Sequence, residues 1–290
     1  MMKKYLNLIA VILVLSVISC NSTKEVTRQS FESIELNDSE QSLVDSILQY
    51  GLDHEALYTL LSDIKPMSSL KLYYLPIANT DSLKQTEAEV VDVVAKRNQL
   101  DRLRKLQSAV NKLNDLNIPD LKFILVPYNS AQKEMRVIQL SVIRRSLLDK
   151  ILLEKESFFG QFGLAPGADP IVVASMVENA DRYERYRAYG YLFGYPDYAV
   201  DFYVKASLIQ VQTKKFPERT FFQIPVYKGD SGYFVYAYPK NHTPTASVDS
   251  VLYNKAVGVL DDYKNIRNKY LRSDSTLKAS QLLRDLYTKP

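Results

Sequence analysis

The spacing of hydrophobic positions along this chain changes several times, and each change marks an element. Leu43, Ile47 and Leu48 keep the three- and four-residue steps of a helix with one apolar face, and Gly51 ends that run. Asp53 then stands where a helix N-cap would, ahead of Leu57, Leu60, Leu61 and Ile64, and Pro66 closes this second helix. Residues 69–75 (SLKLYYL) are short, rich in β-formers and bounded by Pro76, which predicts a strand. The strongest helical pattern runs over residues 81–116, where Leu100, Leu103, Leu106, Val110 and Leu113 recur with charged residues between them, until Asn117 and Pro119 stop it.

Residues 121–127 (LKFILVP) and 135–143 (MRVIQLSVI) predict two more strands. Helical spacing returns over 147–159, and residues 160–170 form a Gly/Pro loop. Two helices follow, 171–193 and 197–212, broken at Gly194-Tyr195-Pro196. Residues 220–227 and 231–238 predict an antiparallel hairpin turning at Lys228-Gly229-Asp230, with Tyr236 and Tyr238 on one face. The end of the chain reads as helix from about Val248 to Leu286, interrupted near Ser273. Helix dominates and about five strands are scattered, so the pattern predicts an α+β fold with a small, mostly antiparallel or mixed sheet. Only the strand–helix–strand stretch 69–127 could make a parallel crossover.

The first twenty residues follow a different rule. Lys3 and Lys4 precede an apolar run over residues 6–17, then Val17-Ile18-Ser19-Cys20 and the polar Asn21, Ser22 and Thr23. The run is too short to span a hydrocarbon layer about 30 Å thick, which takes about 20 apolar residues, and it has the order of a secretion signal. It resembles the signal peptide of bacterial lipoproteins, whose lipobox ends in an acylated Cys; Val17 and Ile18 stand where Leu and Ala or Thr are commoner. The resemblance implies cleavage between Ser19 and Cys20 and acyl chains such as palmitate on Cys20. Asn21, in place of an Asp, implies the outer membrane of a Gram-negative bacterium. With only Lys24-Glu25 and no acidic run behind the Cys, the periplasmic face is favoured over the cell surface. Several chains on one residue exceed what stable anchoring requires. Residues 21–38 are polar and aperiodic and read as a tether. Residues 39–290 read as one globular domain, or as two subdomains meeting near 160–170.

Composition narrows the chemistry. The 290 residues are 46% hydrophobic and 24% charged, as in ordinary globular proteins. The net charge of +4, falling to +2 without Lys3 and Lys4, argues against a nucleic-acid partner. Cys20 is the only cysteine, and His54 and His242 are the only histidines, so the chain lacks the usual means of building a transition-metal site. No cofactor motif is present. Tyr is abundant at 21, with no Trp.

The densest unusual segment is 181–198. On one helix Arg182, Arg185 and Tyr189 share a face; Gly194 can end that helix left-handed, Pro196 suits the first position of the next, and Asp197 lies near its positive end. Such a corner suits a sugar, a peptide carboxylate or another anion. The plainer alternative is a structural corner, with Glu178–Arg182 and Asp181–Arg185 as intrahelical pairs. Asp53-His54-Glu55 lacks the second His of a zinc helix and is explained by capping and first-turn charge, and His242 reads as a surface loop residue. Two functions therefore compete. One is a membrane-tethered binding or assembly module for an envelope protein, peptide or glycan. The other is a hydrolase of envelope or glycan material using carboxylates such as Asp197 and Asp201. Converging carboxylates in a pocket would favour the enzyme, and an exposed Tyr-rich patch would favour binding.

Overall fold

A computed structural model describes residues 38–75, 97–128, 136–229 and 234–288, all within one compact unit, Leu36–Pro290. Helix α1 (Asp38–Asp53) and the single turn α2 (Leu57–Leu60) lead into strand β1 (Met67–Leu75). Helix α3 (Arg97–Asp115), β2 (Leu121–Pro127) and β3 (Arg136–Arg144) follow. Then come α4 (Arg145–Glu154), α5 (Glu156–Phe159), α6 (Pro170–Asn179), α7 (Arg182–Leu192) and α8 (Asp197–Thr213). A hairpin of β4 (Arg219–Ile224) and β5 (Phe234–Pro239) precedes α9 (Val251–Arg267) and α10 (Ala279–Tyr287). The fold is α+β and helix-dominated, with one three-stranded and one two-stranded sheet among the described residues. No helix among the described residues is long and apolar enough to cross a membrane. Cys20 and residues 21–37 of the expected tether lie outside the described residues, as do 81–96 of the long helical pattern, and Asp38 of that tether opens α1.

The larger sheet has the order β1-β3-β2 with both ladders antiparallel. β1 and β2 run the same way, but β3 lies between them, so these two strands make no parallel pairing. Central β3 is buried from Val137 to Arg144 because both of its faces are covered. On one face Leu140 and Val142, with Phe123 and Leu70, join a core shared with α1, α3, α9 and α10. On the other, Ile143, Ile124, Val126 and Met67 join a second core under α4, α6 and α7.

Several sequence-based boundaries are corrected. Gly51 does not end α1, which runs on to Asp53; a Cβ there would meet Leu70 Cδ2 at 2.4 Å, so the glycine admits β1 against the helix. Asp53 caps nothing. It is 1% exposed and accepts from Tyr263 Oη at 2.9 Å and Arg267 Nε at 3.2 Å, with Lys228 Nζ at 3.4 Å. The second helix stops after one turn because the chain must extend to reach the sheet, where Pro66 accepts from the Arg144 amide at 2.8 Å. The expected helix 171–193 is two helices, since Ala180 and Asp181 are extended (ψ 162° and 152°). The first hairpin strand ends at Ile224, because Pro225 cannot donate to a ladder and its carbonyl accepts the Tyr58 hydroxyl. Asp230 of the expected turn and residues 231–233 lie outside the described residues. The break near Ser273 separates α9, with its 3₁₀ extension Asn268–Tyr270, from α10.

Candidate functional site

A cavity of about 560 Å³ opens where the second face of the large sheet, the α7–α8 pair and the hairpin meet. Its floor is polar. Gln139 of β3 lies among apolar neighbours, yet its side chain faces Ser69 and Ser141 because those residues share its face of the pleat. Tyr128, just beyond β2, donates to Gln139 Oε1 at 2.6 Å, and Gln139 Nε2 donates to Ser69 Oγ and Ser141 Oγ at 2.8 Å each. A buried amide left unbonded would be costly; here the chain of bonds satisfies it and fixes its direction.

One wall comes from the break between α6 and α7. Because the helix restarts at Arg182, Glu178 no longer stands in i,i+4 phase with Arg182; it meets Arg185 instead, Nη1 to Oε1 at 3.5 Å. Glu178 Oε2 also accepts the Tyr189 hydroxyl at 2.7 Å, and Glu178 is only 5% exposed. Burial pushes the Tyr189 phenol up, reinforced by its bond to Glu178. Burial likewise raises Tyr195 and Tyr128, so these phenols keep their protons across the physiological range. Tyr189 stacks on Phe193 (centroids 5.4 Å) and Phe193 approaches Tyr195 at 6.0 Å, which makes the back of the cavity aromatic. At the rim Tyr186 meets Tyr203 edge to face at 5.4 Å, and Phe221, Val235 and Ala237 close the hairpin side.

The back wall is held by a corner. Gly194 is left-handed (φ 75°) and a Cβ there would lie 2.8 Å from the Ile64 carbonyl oxygen. The Tyr195 amide returns to the Gly190 carbonyl at 3.0 Å, and Pro196 is the N-cap of α8 rather than its first residue. Beneath the corner Lys65 is fully buried, with Nζ 4.5 Å from the Phe234 ring centroid and 2.7 Å from Glu55 Oε2. The hairpin is anchored from its other face by buried Asp249, which accepts the Tyr198 and Tyr236 hydroxyls at 2.5 Å each and the Thr245 amide at 2.6 Å. Burial alone would raise the Asp249 carboxyl, but these donors hold it below the ordinary value of 3.8.

The residues singled out in the sequence divide. Arg185, Tyr189 and Tyr195 line the cavity. Arg182 is exposed on the first turn of α7 and does not line it. Asp197 pairs with Lys155 at 2.5 Å and borders a separate cleft of about 330 Å³. Neither expected intrahelical pair forms, because the helix they assumed is broken; Arg185 meets Asp181 only through its amide. Asp201 is held by Arg187 on the surface, so Asp197 and Asp201 do not converge on the cavity. His54 stacks on Tyr50 at 4.2 Å, and Glu55 is engaged by Lys65. His242 is half-buried against Tyr198 and Tyr238, contrary to the surface reading.

Ser69, Tyr128, Gln139, Tyr203 and Phe221 were not foreseen. The one available signal was Gln139 and Ser141 two apart inside an apolar run, which places both on one strand face. Among the described lining residues Glu178 is the only carboxylate, and there is no His, Cys or Lys. No group of three or more potential metal ligands occurs among the described residues. The arrangement holds ring faces and directed hydrogen-bonding groups; among the described lining residues no Ser is paired with a base, and the one hydroxyl on a carboxylate is that of Tyr189 on Glu178. No family model, curated protein or solved structure matches the chain.

Proposed function

We propose that the protein is a lipid-anchored envelope lipoprotein whose domain binds a small ligand or a protruding part of a larger one. The observation that carries the binding half is the cavity itself. Its size lies in the range of about 300–1,000 Å³ usual for ligand sites, and it is mainly aromatic with a few fixed polar groups. The hydrolase alternative lacks support in the same place: Glu178, the sole carboxylate among the described lining residues, is already engaged by Arg185 and Tyr189. Most glycosidases use two carboxyl groups about 5–9.5 Å apart across the scissile bond.

The anchoring half rests on Lys3, Lys4, the apolar run and Cys20. On this reading the acylated Cys20 sits in the outer membrane and residues 21–37 let the domain reach into the periplasm. Palmitate labelling tests it: wild type should carry label and sediment with outer membranes, and Cys20→Ala should lose both. The binding half is tested by native mass spectrometry of mature protein purified from membranes. A ligand adduct should appear and should vanish when Ala237→Trp fills the cavity from the hairpin. Release of reducing ends from envelope glycans by purified protein would instead establish the hydrolase.

A further inference from the structure

We infer that the cavity recognises a neutral sugar unit of a glycan; this inference rests on the reading of the cavity as a ligand site. Three features lead there. The first is charge balance. Arg185 and Glu178 are the only charged side chains among the described lining residues, and they face each other. An anionic ligand drawn to Arg185 would meet Glu178 beside it, and a cationic one would meet the reverse. A neutral polyol meets neither penalty and can accept from Arg185.

The second feature is what the internal hydrogen bonds leave open. Arg185 reaches Glu178 through Nη1 alone, at 3.5 Å to both Oε1 and the backbone carbonyl. Its Nε and Nη2 hydrogens have no acceptor among the described residues. Across the cavity Ser69 Oγ accepts from Gln139, which leaves its own proton to give, and Tyr128 donates to Gln139, which leaves its oxygen to accept. Donors and an acceptor therefore line one space, held in place by a buried network. Hydroxyl groups, each able to donate and accept, suit such a mixture; an acyl chain would leave every one of these groups unsatisfied on losing water.

The third feature is the rim. Tyr203 is 41% exposed and Phe221 49% exposed, and both border the cavity. Ring faces carry partial negative charge and attract the polarised C–H face of a pyranose. Rings left in water at the mouth fit a chain of sugar units that extends past the cavity, since each further unit finds a face to lie on.

The experiment is calorimetric titration of the mature acylated protein in nanodiscs with a panel of neutral tetrasaccharides of glucose, mannose, xylose and N-acetylglucosamine. Tetragalacturonate and laurate serve as the anionic and apolar counterparts. At least one neutral oligosaccharide should bind, with affinity unchanged between about 50 mM and about 500 mM salt, where a charge-driven contact would weaken. Tyr203→Ala and Phe221→Ala should each weaken it by about tenfold, with melting temperatures near wild type. Preferential binding of tetragalacturonate or laurate, lost in Ala237→Trp, would overturn the sugar assignment and leave the ligand-site reading standing. Sugar binding undiminished in Ala237→Trp would place the site elsewhere and overturn both. Absence of binding by every neutral member of the panel would overturn the sugar assignment alone.

Discussion

The two faces of the large sheet come from the same three strands and differ in where their polar groups lie. Toward α1 and α3, Leu70, Phe123, Leu140 and Val142 form an apolar centre, and the polar Ser68 and Arg144 of that face stand at its α2 end, both bonded to Thr59. Toward α6 and α7, Met67, Ile124, Val126 and Ile143 share the surface with Ser69, Gln139 and Ser141. Burying an amide and two hydroxyls contributes less stability than burying methyl groups would, even with every bond made. What the polar face gains is direction: Gln139 fixes the Tyr128 and Ser69 oxygens at the edge of the cavity. One face contributes mainly cohesion, and the other gives up some cohesion where it borders the cavity.

Adjacent residues of β3 test this contrast directly, since Leu140 and Gln139 point to opposite faces. Leu140 is fully buried. Leu140→Ala should cost about 2–5 kcal/mol, the range for deleting a core leucine. A urea melt reads the loss. Ligand affinity measured well below the melting temperature should be unchanged, and a large drop in affinity there would blur the division between the faces.

The cavity side depends on the corner, where a smaller loss is expected. Gly194→Ala should cost about 1 kcal/mol from its left-handed backbone alone, and more because the new methyl would press on the Ile64 carbonyl at 2.8 Å. Thermal melts check the size of the effect. Affinity should fall as well, because Phe193 and Tyr195 flank this glycine and form the back wall.

Much of the frame was legible and most of the site was not, for physical reasons visible in single residues. Strand β2 is bounded as expected because an apolar run ending in proline has few other uses. The corner at Gly194 was legible because glycine and proline act through their own backbone preferences. The break at Ala180-Asp181 has neither, so nothing local betrayed it, and with it went the true partner of Glu178. Asp53 looked like a cap because its donors, Tyr263 and Arg267, lie more than two hundred residues away. Pro225, by contrast, was a readable stop within the expected strand. Tyr128 and Gln139 become site residues only when the strands pair, which no periodicity of either segment encodes.

The hairpin holds a related contrast on a smaller scale: Val235 and Ala237 border the cavity with apolar side chains, while Tyr236, which also borders it, gives its hydroxyl to Asp249. Asp249→Asn should cost about 1–3 kcal/mol near neutral pH, as expected when a buried charge-assisted network is broken. The sign of its pH dependence follows from the depressed carboxyl. A carboxylate whose folded value lies below its ordinary 3.8 adds stability that is full above that value and is lost as the pH falls through the folded one. The gap in melting temperature between wild type and Asp249→Asn should therefore narrow as the pH drops below about 4. A gap that stays constant down to about pH 2.5 would mean that the carboxylate charge contributes nothing.

The smallest stability change should come from the polar floor, and it separates the two faces most sharply. Gln139→Leu alone removes the partner of fully buried Ser141 and of the Tyr128 hydroxyl, so a cost of about 1–3 kcal/mol is expected from the unsatisfied groups. Adding Ser141→Ala removes one of those orphans, and replacing both members of a buried hydrogen bond with apolar groups is close to neutral. The double variant should therefore unfold within about 1 kcal/mol of wild type, and more stably than the single one. Its cavity would keep its volume and rings but lose the group that orients Tyr128 and Ser69. Ligand affinity should fall in both variants alike, while stability recovers only in the double one. If affinity recovered together with stability, Gln139 would be serving the sheet alone, and the polar face would differ from the apolar face only in composition.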